Sequence, residues 1–256
     1  MIPTRLLADW RPFAPWPDED QVEQDLLLTR ALITLFSEPL LGSLLAFRGG
    51  TAIHKTALPQ PLRYSEDIDL VQREPGPIKP ALVLIQPLLD PWLGSPSIEQ
   101  RRDAVRLVYR YDAEGSGARR RAKVEINTRE HGAFDAWRTV RMSCDTRWFR
   151  GEADVVSFSR EELLATKLRA LYQRKKGRDL FDLDATLLVG ELDEDRVVSL
   201  FRHYLDRQGV TITRREFEAN MGRKLADPLF VDDVHPLLRC GKRNIVYKGR
   251  FDIALA

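Results

Sequence analysis

Apolar residues along the first 159 positions switch between helical spacing and strand-like alternation. Segment 18–37 carries apolar residues at helical spacing behind acids in its first turn, which predicts an amphipathic helix. A second helix is predicted over 78–93 and a short one over 51–58. Short apolar or alternating runs predict strands at 44–49, within 63–72, and at 106–112, 122–129 and 154–159, with a polar hairpin loop at 113–120. This mixture indicates an α+β fold.

From residue 159 onward the pattern is helical. Ser159, followed three residues later by Glu162, predicts a capping box at the start of a helix, and Gly177 occupies the C-cap position at its end. An apolar stripe along this helix comprises Leu163, Leu164, Leu168 and Leu171. Further helices are predicted over 178–190, 193–209 and 213–225. We therefore expect an α+β domain over residues 1–155, followed by a C-terminal helical domain over residues 156–256.

The composition narrows the class of protein. Of the 256 residues, 43% are hydrophobic and 30% are charged, as in a soluble globular protein with a sizeable core. No apolar run approaches the roughly 18 residues that a membrane span needs, and the N-terminus lacks the features of a secretory signal. The two cysteines, Cys144 and Cys240, have no metal-ligand spacing and suggest no disulfide framework. These features predict a cytoplasmic protein with no membrane association.

The net charge of +2 conceals a basic middle segment. Residues 1–100 hold 8 Lys and Arg against 13 Asp and Glu, residues 101–180 hold 20 against 12, and residues 181–256 hold 12 against 13. A basic segment beside an acidic pair indicates a site where metal ions lie next to a polyanion. An ordinary solvated surface rich in arginine is the alternative interpretation.

Asp67 and Asp69 interrupt an otherwise apolar run. In a strand, residues i and i+2 point to the same face, so the two carboxylates project together while Ile68 and Leu70 turn to the core. Two adjacent carboxylates repel and desolvate each other, and bound Mg²⁺ reverses that cost. Two such ions, about 3.5–4 Å apart, can activate an attacking hydroxyl and neutralise a leaving pyrophosphate. A lone D-x-D sequence also occurs by chance in loops.

A third acid is usually needed to complete such a metal site. Glu125 lies on the predicted strand 122–129, where its neighbours Val124 and Ile126 face inward. Lys123 shares the face of Glu125 and is expected to hold it by an ion pair or to contact phosphate. Considered alone, Glu125 also fits the exposed side of an amphipathic strand.

Gly49 and Gly50 end the predicted strand 44–49 just before a helix. Backbone N–H groups at a helix N-terminus bind phosphate, and the absence of a Cβ lets the phosphate come close. Thr51 would add a hydroxyl donor, and Arg63 and Ser65 lie close enough in sequence to the acidic pair to touch a triphosphate. A pair of glycines more commonly marks a turn, so this motif gains weight from its position before the acids.

Two stretches of the chain resemble a known family. The sequence GGTAIHK, followed by RYSEDIDL, is similar to the AbiEii-type nucleotidyltransferase toxins of abortive-infection toxin–antitoxin systems, within the polymerase-β-like nucleotidyltransferase superfamily. A second marker, from Glu161 to Leu183, comprises ELLATKLRALYQR in its first part and RDLFDL in its second. The resemblance covers residues of about 44–190. It implies a polymerase-β-like core, a mixed sheet with flanking helices, ahead of the helical domain.

The resemblance implies roles for residues and for partners. Asp67 and Asp69 would bind the metal, Gly49 to Thr51 would hold the nucleotide phosphates, and Lys167 would contact the nucleotide. Asp179 would be a further essential acid, with Asp182 as the nearby alternative. From the residues alone, Lys167 fits a lysine that extends past core residues, and Asp179 fits a helix cap. Family members transfer nucleotides, in some cases onto the 3′ ends of tRNA, and are restrained by an antitoxin. The expected substrate is therefore an NTP.

The sequence thus predicts a Mg²⁺-dependent nucleotidyltransferase, with the acceptor left open. The basic stretch 101–150 and a basic cluster at 174–178 would bind tRNA by its shape and backbone, although the cluster also fits a solvated surface. The cluster comprises Arg174, Lys175, Lys176 and Arg178. The alternatives are transfer to a hydroxyl of a protein or small molecule, and a catalytically silent nucleotide-binding module. The 16 residues between Gly50 and Asp67 exceed the spacing of the wider superfamily but are ordinary for the toxin-like branch.

Overall fold

A mixed sheet of seven strands forms the centre of the computed structural model, which describes residues 1–189 and 192–238. Cys240 and the end of the predicted helical domain lie outside the described residues. The strands, in chain order, are β1 (Leu45–Arg48), β2 (Asp67–Gln72), β3 (Ser97–Gln100), β4 (Ala104–Asp112), β5 (Arg119–Asn127), β6 (Arg138–Asp145) and β7 (Arg150–Ser157). Across the sheet they lie in the order β3-β4-β5-β2-β1-β7-β6.

Strand direction places the predicted acids at the middle of the sheet. β2 is antiparallel to β1 and parallel to β5, while β7 is parallel to β1. The pairs β3–β4, β4–β5 and β6–β7 are antiparallel. In this register Asp69 lies opposite Arg48 on one side and opposite Glu125 on the other. The α+β class and the mixed sheet with flanking helices are confirmed.

Five helices precede or interrupt the first strands. They are α1 (Thr4–Leu7), α2 (Glu19–Phe36), α3 (Pro39–Leu44), α4 (Gly49–Ala52), which continues as a π-helical turn over Ile53–Ala57, and α5 (Lys79–Leu93). Asp18 caps α2, because its side chain accepts from the N–H of Asp20. The apolar residues of α2 are buried almost throughout, so the helix predicted over 18–37 is confirmed and lies in the core.

Helices follow the last strand, as the pattern predicts. They are α6 (Arg160–Gln173), α7 (Gly177–Leu187), α8 (Glu194–Asp206), α9 (Arg214–Leu225) and α10 (Pro228–Asp232), with a 3₁₀ turn over His235–Leu237. The stripe of leucines on α6 is buried. α6 packs chiefly against α7 and α8, so it forms the centre of the helical part.

Two details of the predicted helix ends are wrong. The hydroxyl of Ser159 accepts from the N–H of Glu162, but the Glu162 carboxylate accepts from the backbone of Phe134 and Asp135 instead of completing a capping box. It also accepts from the Tyr204 hydroxyl at 2.7 Å. Glu162 therefore ties the helical part to the loop before β6.

Gly177 begins α7 and does not end α6. α6 ends at Gln173, and its C-cap residue is Arg174. A Cβ on Gly177 would overlap the backbone oxygen of Phe230. The glycine is therefore required by close packing of the start of α7 against α10, and not by a left-handed helix end.

Strands β3 and β6 are absent from the sequence prediction, and β7 begins earlier than predicted. β3 has only four residues and lies at one edge of the sheet. β6, with the sequence RTVRMSCD, lies at the other edge and is exposed at most positions. Edge strands lack a continuous apolar face, so alternation of apolar and polar residues identifies them poorly.

Buried apolar residues form two clusters. The first contains the sheet, α2 and α5, and the second contains most buried residues of α6, α8 and α9. Leu163, Phe181 and Ala185 belong to the first cluster although they lie in the helical part of the chain. The division into domains at residue 155 therefore stays a prediction. No helix within residues 1–189 and 192–238 has both the length and the hydropathy needed to cross a bilayer.

Candidate active site

One face of the sheet carries a row of charged side chains in which two adjacent acids, Asp69 and Glu125, lie between two arginines. Arg48 on β1, Asp69 on β2 and Glu125 on β5 lie directly opposite one another. Arg106 on β4 and Glu99 on β3 continue the row. The residues between them on β2 and β5 turn to the core as predicted, namely Ile68, Leu70, Val124 and Ile126. The strand alternation therefore brings the predicted acids together on one face.

Asp69 is the least neutralised of these acids. Burial, followed by repulsion from Asp67, raises the pKa of the Asp69 carboxyl to about 6, against which the charge of Arg48 acts only in part. Within the described part of the chain, Asp69 makes no hydrogen bond and no ion pair within 4 Å. A carboxylate enclosed in this way destabilises the fold unless a cation joins it.

Asp67 and Glu125 each have a basic partner. Lys123 Nζ lies 3.1 Å from Asp67 Oδ1, and Arg106 donates from Nε to Glu125 Oε2 at 2.7 Å. Lys123 therefore holds Asp67 and not Glu125, because the parallel register of β2 and β5 sets Asp67 opposite Lys123. All these side chains are partly exposed, so their carboxylate oxygens remain accessible to a ligand.

The glycine turn at the end of β1 fits closely around the acids. Gly49 has a positive φ of 80°, and a Cβ there would overlap the Asp69 carboxylate. A Cβ on Gly50 would overlap the guanidinium of Arg63. The two glycines are thus explained by the approach of Asp69 and Arg63 as well as by the phosphate contact predicted for them.

Thr51 and Ser65 join the glycine turn to β2. Their hydroxyl oxygens lie 2.6 Å apart, and the Thr51 hydroxyl also donates to the backbone oxygen of Asp67 at 2.5 Å. Thr51 is buried. Thr51 and Ser65, both predicted to contact phosphate, therefore hold the glycine turn against the strand that carries Asp67.

A network of buried charges lies behind the glycine turn. Arg63 donates to both oxygens of Asp182, from Nε at 2.6 Å and from Nη2 at 2.7 Å. His54 Nε2 lies 2.9 Å from the same carboxylate, and Lys167 Nζ lies 2.9 Å from it. Lys167 also donates to Asp179 at 3.0 Å. This clamp, consisting of Arg63, His54, Lys167, Asp179 and Asp182, connects α4 and the segment after it with α6 and α7.

The carboxylates of the clamp are strongly neutralised. Burial alone would raise the pKa of Asp182, but the charges of Arg63 and Lys167 hold it well below its usual range. Burial likewise opposes ionisation of Asp179, and Lys167 and Arg174 nevertheless lower its pKa. Arg63 and Asp179 are thus engaged with protein partners, whereas the sequence predicts that Arg63 touches the nucleotide and that Asp179 is catalytic.

A cavity of about 190 Å³ opens between the sheet face and α6. Its walls include five of the predicted site residues, namely Gly49, Gly50, Asp69, Glu125 and Lys167. Asp67 lies beside it on the same strand face as Asp69. The remaining predicted residues, Thr51, Ser65, Arg63 and Asp179, lie behind this wall in the contacts described above. The cavity therefore joins the sheet acids, the glycine turn and the lysine of α6.

Four polar residues of the cavity wall are not predicted from the sequence as nucleotide-site residues: Arg48, Asn127, Thr166 and Arg174. Asn127 follows Glu125 by two residues, so strand alternation alone places it on the same face. Arg48 immediately precedes the glycines at the end of β1. Residues next to each recognised motif could therefore have been predicted to line the same cavity.

A larger cavity of about 390 Å³ lies near Trp10, Phe13 and Lys55. Its acid, Asp25, is 3.0 Å from Lys55 Nζ. None of the three sheet carboxylates lines it. The volume of a cavity therefore does not by itself identify the candidate active site. The smaller cavity is the one lined by the sheet acids, the glycines and Lys167.

The sheet acids fit a divalent cation by their chemistry. In residues 1–189 and 192–238, no three His, Cys, Asp or Glu side chains converge as a ready cluster of metal ligands. The raised pKa of Asp69, caused by its burial and by Asp67, shows an excess of negative charge that a cation would relieve. Carboxylate oxygens are the ligands that Mg²⁺ prefers. Asp67, Asp69 and Glu125 are the residues able to hold it.

Comparison with known proteins identifies the family of the chain. A family model described as the nucleotidyl transferase AbiEii toxin of type IV toxin–antitoxin systems matches residues 30–242, which is most of the chain. The chain belongs to the AbiEii family. This AbiEii chain is accordingly a nucleotidyltransferase toxin, and the family implies an NTP substrate and an antitoxin partner. A search of curated proteins finds no match.

Two solved structures resemble the chain at low sequence identity. The AbiEii chain resembles MenT4, a nucleotidyltransferase toxin from Mycobacterium tuberculosis H37Rv, with a TM-score of 0.54 and 17% identity over 91% of this chain and 90% of that one. A putative nucleotidyltransferase from H. pylori matches with a TM-score of 0.49 and 17% identity over 85% of this chain and 97% of that one. The likeness to MenT4 supports the fold assignment alone.

Proposed function

We propose that this toxin transfers NMP from an NTP to an acceptor hydroxyl in a Mg²⁺-dependent reaction, and that the acceptor is the 3′ end of tRNA. The observation that carries the proposal is the pair Asp67 and Asp69 beside the glycine turn. The excess negative charge on this pair and the facing Lys167 suit a metal-bound triphosphate. NTP and tRNA are cytoplasmic molecules, so we place the activity in the cytoplasm.

Asp67, Asp69 and Glu125 would hold Mg²⁺ on the sheet face. Bound there, Mg²⁺ would neutralise the triphosphate and favour ionisation of the acceptor hydroxyl. Lys123 and Arg106 orient two of these carboxylates from the same face. The acids are carried by strands and not by loops, and such elements hold a site with precision.

The glycine turn would hold the phosphates. Gly49 and Gly50 line the cavity, and the bond of Thr51 to the Asp67 backbone fixes the turn relative to the metal-binding acids. Arg63 and Ser65, which the sequence predicts as direct phosphate contacts, would support the turn from behind. We therefore propose a positioning role for these two residues and for Thr51.

Lys167 would oppose the charge that develops on the transferred phosphate. Its Nζ lies between Asp179 and Asp182, at 3.0 Å and 2.9 Å, so the clamp fixes its position before substrate binds. Arg174 lines the same cavity and pairs with Asp179 at 2.6 Å. Asp179 and Asp182 are thus proposed to position the lysine, not to bind metal.

The reaction would proceed by attack of the acceptor oxygen on the α-phosphorus. A P–O bond forms to that oxygen, the bond to the bridging oxygen breaks, and pyrophosphate leaves. The acceptor proton would pass to Glu125 if this carboxylate serves as the base, which is its alternative role to metal binding. Glu125 lies directly across from Asp69, in reach of the cavity.

The test is to incubate the full chain with total RNA, Mg²⁺ and each α-labelled NTP, and to resolve the labelled products. The wild-type chain should label a tRNA band in the presence of Mg²⁺, and Asp67→Ala should not. Glu66→Gln is the matched control, because Glu66 is the exposed acid next to the pair. Label in protein or in small molecules would overturn the tRNA acceptor. Equal NTP and Mg²⁺ binding by Asp67→Ala would overturn the metal assignment.

A further inference from the structure

Arg110 on β4 and Arg121 on β5 lie directly opposite each other. Residues that face each other in an antiparallel pair point to the same side of the sheet, and here that side also carries Glu125. Both arginines are exposed. Within the described residues neither has a carboxylate within 4 Å, and Arg110 donates from Nη1 to Ser97 Oγ at 2.9 Å.

Neighbouring cations on the same sheet face are neutralised. Arg106 pairs with Glu125, Lys123 with Asp67, and Arg119 with Asp112 at 3.0 Å. The two opposed arginines therefore differ from the basic residues on either side of them.

The basic cluster at 174–178, which the sequence favours as an acceptor contact, is also neutralised. Its four members all have an acid partner, in the pairs Arg174–Asp179, Lys175–Asp227, Lys176–Asp233 and Arg178–Asp233. Of the two basic regions expected to bind the acceptor, the sheet face is thus the one that retains free positive charge at Arg110 and Arg121.

Two like charges directly opposite each other on a sheet destabilise it. A bound anion reverses that effect, and the planar guanidinium forms paired hydrogen bonds to phosphate oxygens. Arg121 lies four residues along β5 from Glu125, which corresponds to about 13 Å on an extended strand. A polyanion whose end enters the cavity would therefore reach the arginine pair.

We propose that Arg110 and Arg121 bind the phosphodiester backbone of the acceptor RNA and lead its 3′ end to the cavity. This inference rests on the proposed function, since it deepens the assignment of RNA as the acceptor. RNA is favoured over an acidic protein surface, because the pair continues the face that holds the reacting groups. The site lies outside the nucleotide pocket, so NTP binding does not depend on it.

The test measures binding of unfractionated tRNA to the full chain at several salt concentrations. Each lost phosphate contact reduces the slope of log K against log salt by about 0.7 for single-stranded nucleic acid. Arg110→Gln/Arg121→Gln should therefore reduce the slope by about 1.4 and weaken binding at low salt by about tenfold or more per arginine. The variant Arg110→Lys/Arg121→Lys should keep the salt slope, because both positive charges remain. It should lose part of the affinity, because lysine cannot form the paired hydrogen bonds that a guanidinium makes to phosphate.

Arg119→Gln is the matched control, because Arg119 lies two residues away on the same face and pairs with Asp112. A loss equal to that of Arg121→Gln would show a general field effect and overturn the arginine pair as a site. An unchanged slope in the double variant would overturn it as well. Loss of antitoxin binding with tRNA binding unchanged would assign the pair to the protein partner and overturn the RNA site.

Two further measurements separate this inference from the proposed function. Thermal stabilisation by NTP and Mg²⁺ should be the same in the double variant and in the wild type, and the unfolding midpoint without ligand should not fall. Intact NTP binding and transfer, with no effect of the arginines on tRNA, would overturn the inference alone. Absence of tRNA binding by the wild-type chain would overturn both the inference and the tRNA acceptor.

Discussion

Asp69, which is partly buried, and Asp182, which is fully buried, lie in two neighbouring regions, but their surroundings differ. Asp69 lies next to another acid, makes no ion pair among the described residues, and has a pKa raised to about 6 by burial and by Asp67. Asp182 contacts Arg63, His54 and Lys167, and the charges of Arg63 and Lys167 together with the hydrogen bond from His54 hold its pKa well below the usual range in spite of burial. Asp69 is thus able to accept a cation, whereas Asp182 is already neutralised by basic side chains of the protein.

The difference separates two uses of buried charge. A paired and hydrogen-bonded carboxylate fixes neighbouring elements in one arrangement, and removing it leaves its partners unpaired. An acid without a partner destabilises the apo fold and gains from a ligand. On this comparison we propose a structural role for Asp182 and a functional one for Asp69.

The largest effect should come from Asp69→Asn. Loss of a metal ligand should reduce nucleotide transfer by roughly 10³-fold, equivalent to about 4 kcal/mol in the barrier. The unfolding midpoint without metal should stay the same or rise, because the repulsion from Asp67 is removed. Rates with labelled NTP and thermal unfolding of the same samples test both expectations. Undiminished activity of the Asp69→Asn variant would contradict the assignment of Asp69 as a metal ligand.

Asp182→Ala should reduce the free energy of unfolding by about 3–5 kcal/mol, because it leaves Arg63 buried without its ion-pair partner and removes one of the two acid partners of Lys167. Urea unfolding measures this loss. Asp154→Asn is the control, since its ion pair with Arg141 is more than half exposed and should contribute about 1 kcal/mol or less. If the two variants lose equal stability, the clamp is not structural. If Asp182→Ala does not fold, Asp182→Asn offers a milder form of the same change.

Gly49→Ala should cost roughly 1–3 kcal/mol, because a side chain at its positive φ is strained and the new Cβ would displace Asp69. Thermal stabilisation by NTP and Mg²⁺ should weaken at the same time. Gly76→Ala is the control, since Gly76 has an ordinary backbone conformation and no atom within 4 Å of the added Cβ. A Gly49→Ala chain that behaves like Gly76→Ala would contradict the close packing at the turn.

The smallest effect concerns pH. The folded-state pKa of Asp69 is about 6 and lies above the ordinary value of about 3.9, so its contribution favours folding below about pH 4 and is lost as the pH rises through 6. Metal-free Asp69→Asn should therefore be more stable than wild type by roughly 1–2 kcal/mol at pH 7.5. That advantage should shrink as the pH falls towards 4.

Urea unfolding of both proteins across this range measures the difference. Asp182 provides the contrast, because its lowered pKa keeps the contribution of that carboxylate to stability constant between pH 5 and 8 and removes it only under strong acid. A stability difference between wild type and Asp69→Asn that does not change with pH would show that Asp69 carries no such strain.

Local patterns were sufficient to predict the elements that carry the site. Alternation along β2 and β5 places Asp67, Asp69 and Glu125 on one face, and the glycines mark the end of β1. The helix that carries Lys167 is visible from its leucine stripe. These signals span only a few residues, and their consequences are confirmed in the fold.

Long-range partners were not predictable in the same way. Arg63 lies two residues before Ser65 and near the acidic pair, so the sequence suggests a phosphate contact, whereas its guanidinium is bound to Asp182 across 119 residues. Lys123 was expected to hold Glu125, but the strand register sets it opposite Asp67. Register and tertiary ion pairs depend on which distant elements meet, and a single sequence does not encode that in a short window.

The sequence distance across the clamp also sets when the enzyme can become active during its own synthesis. Arg63 and His54 cannot form their contacts with Asp182 until that residue has been translated, 119 and 128 residues later. At ribosomal speeds this delay is on the order of ten seconds. A nascent or prematurely terminated chain that carries every sheet acid still lacks the support for its lysine. On the proposed role of the clamp, we expect the growing polypeptide to be inactive until translation has passed α7.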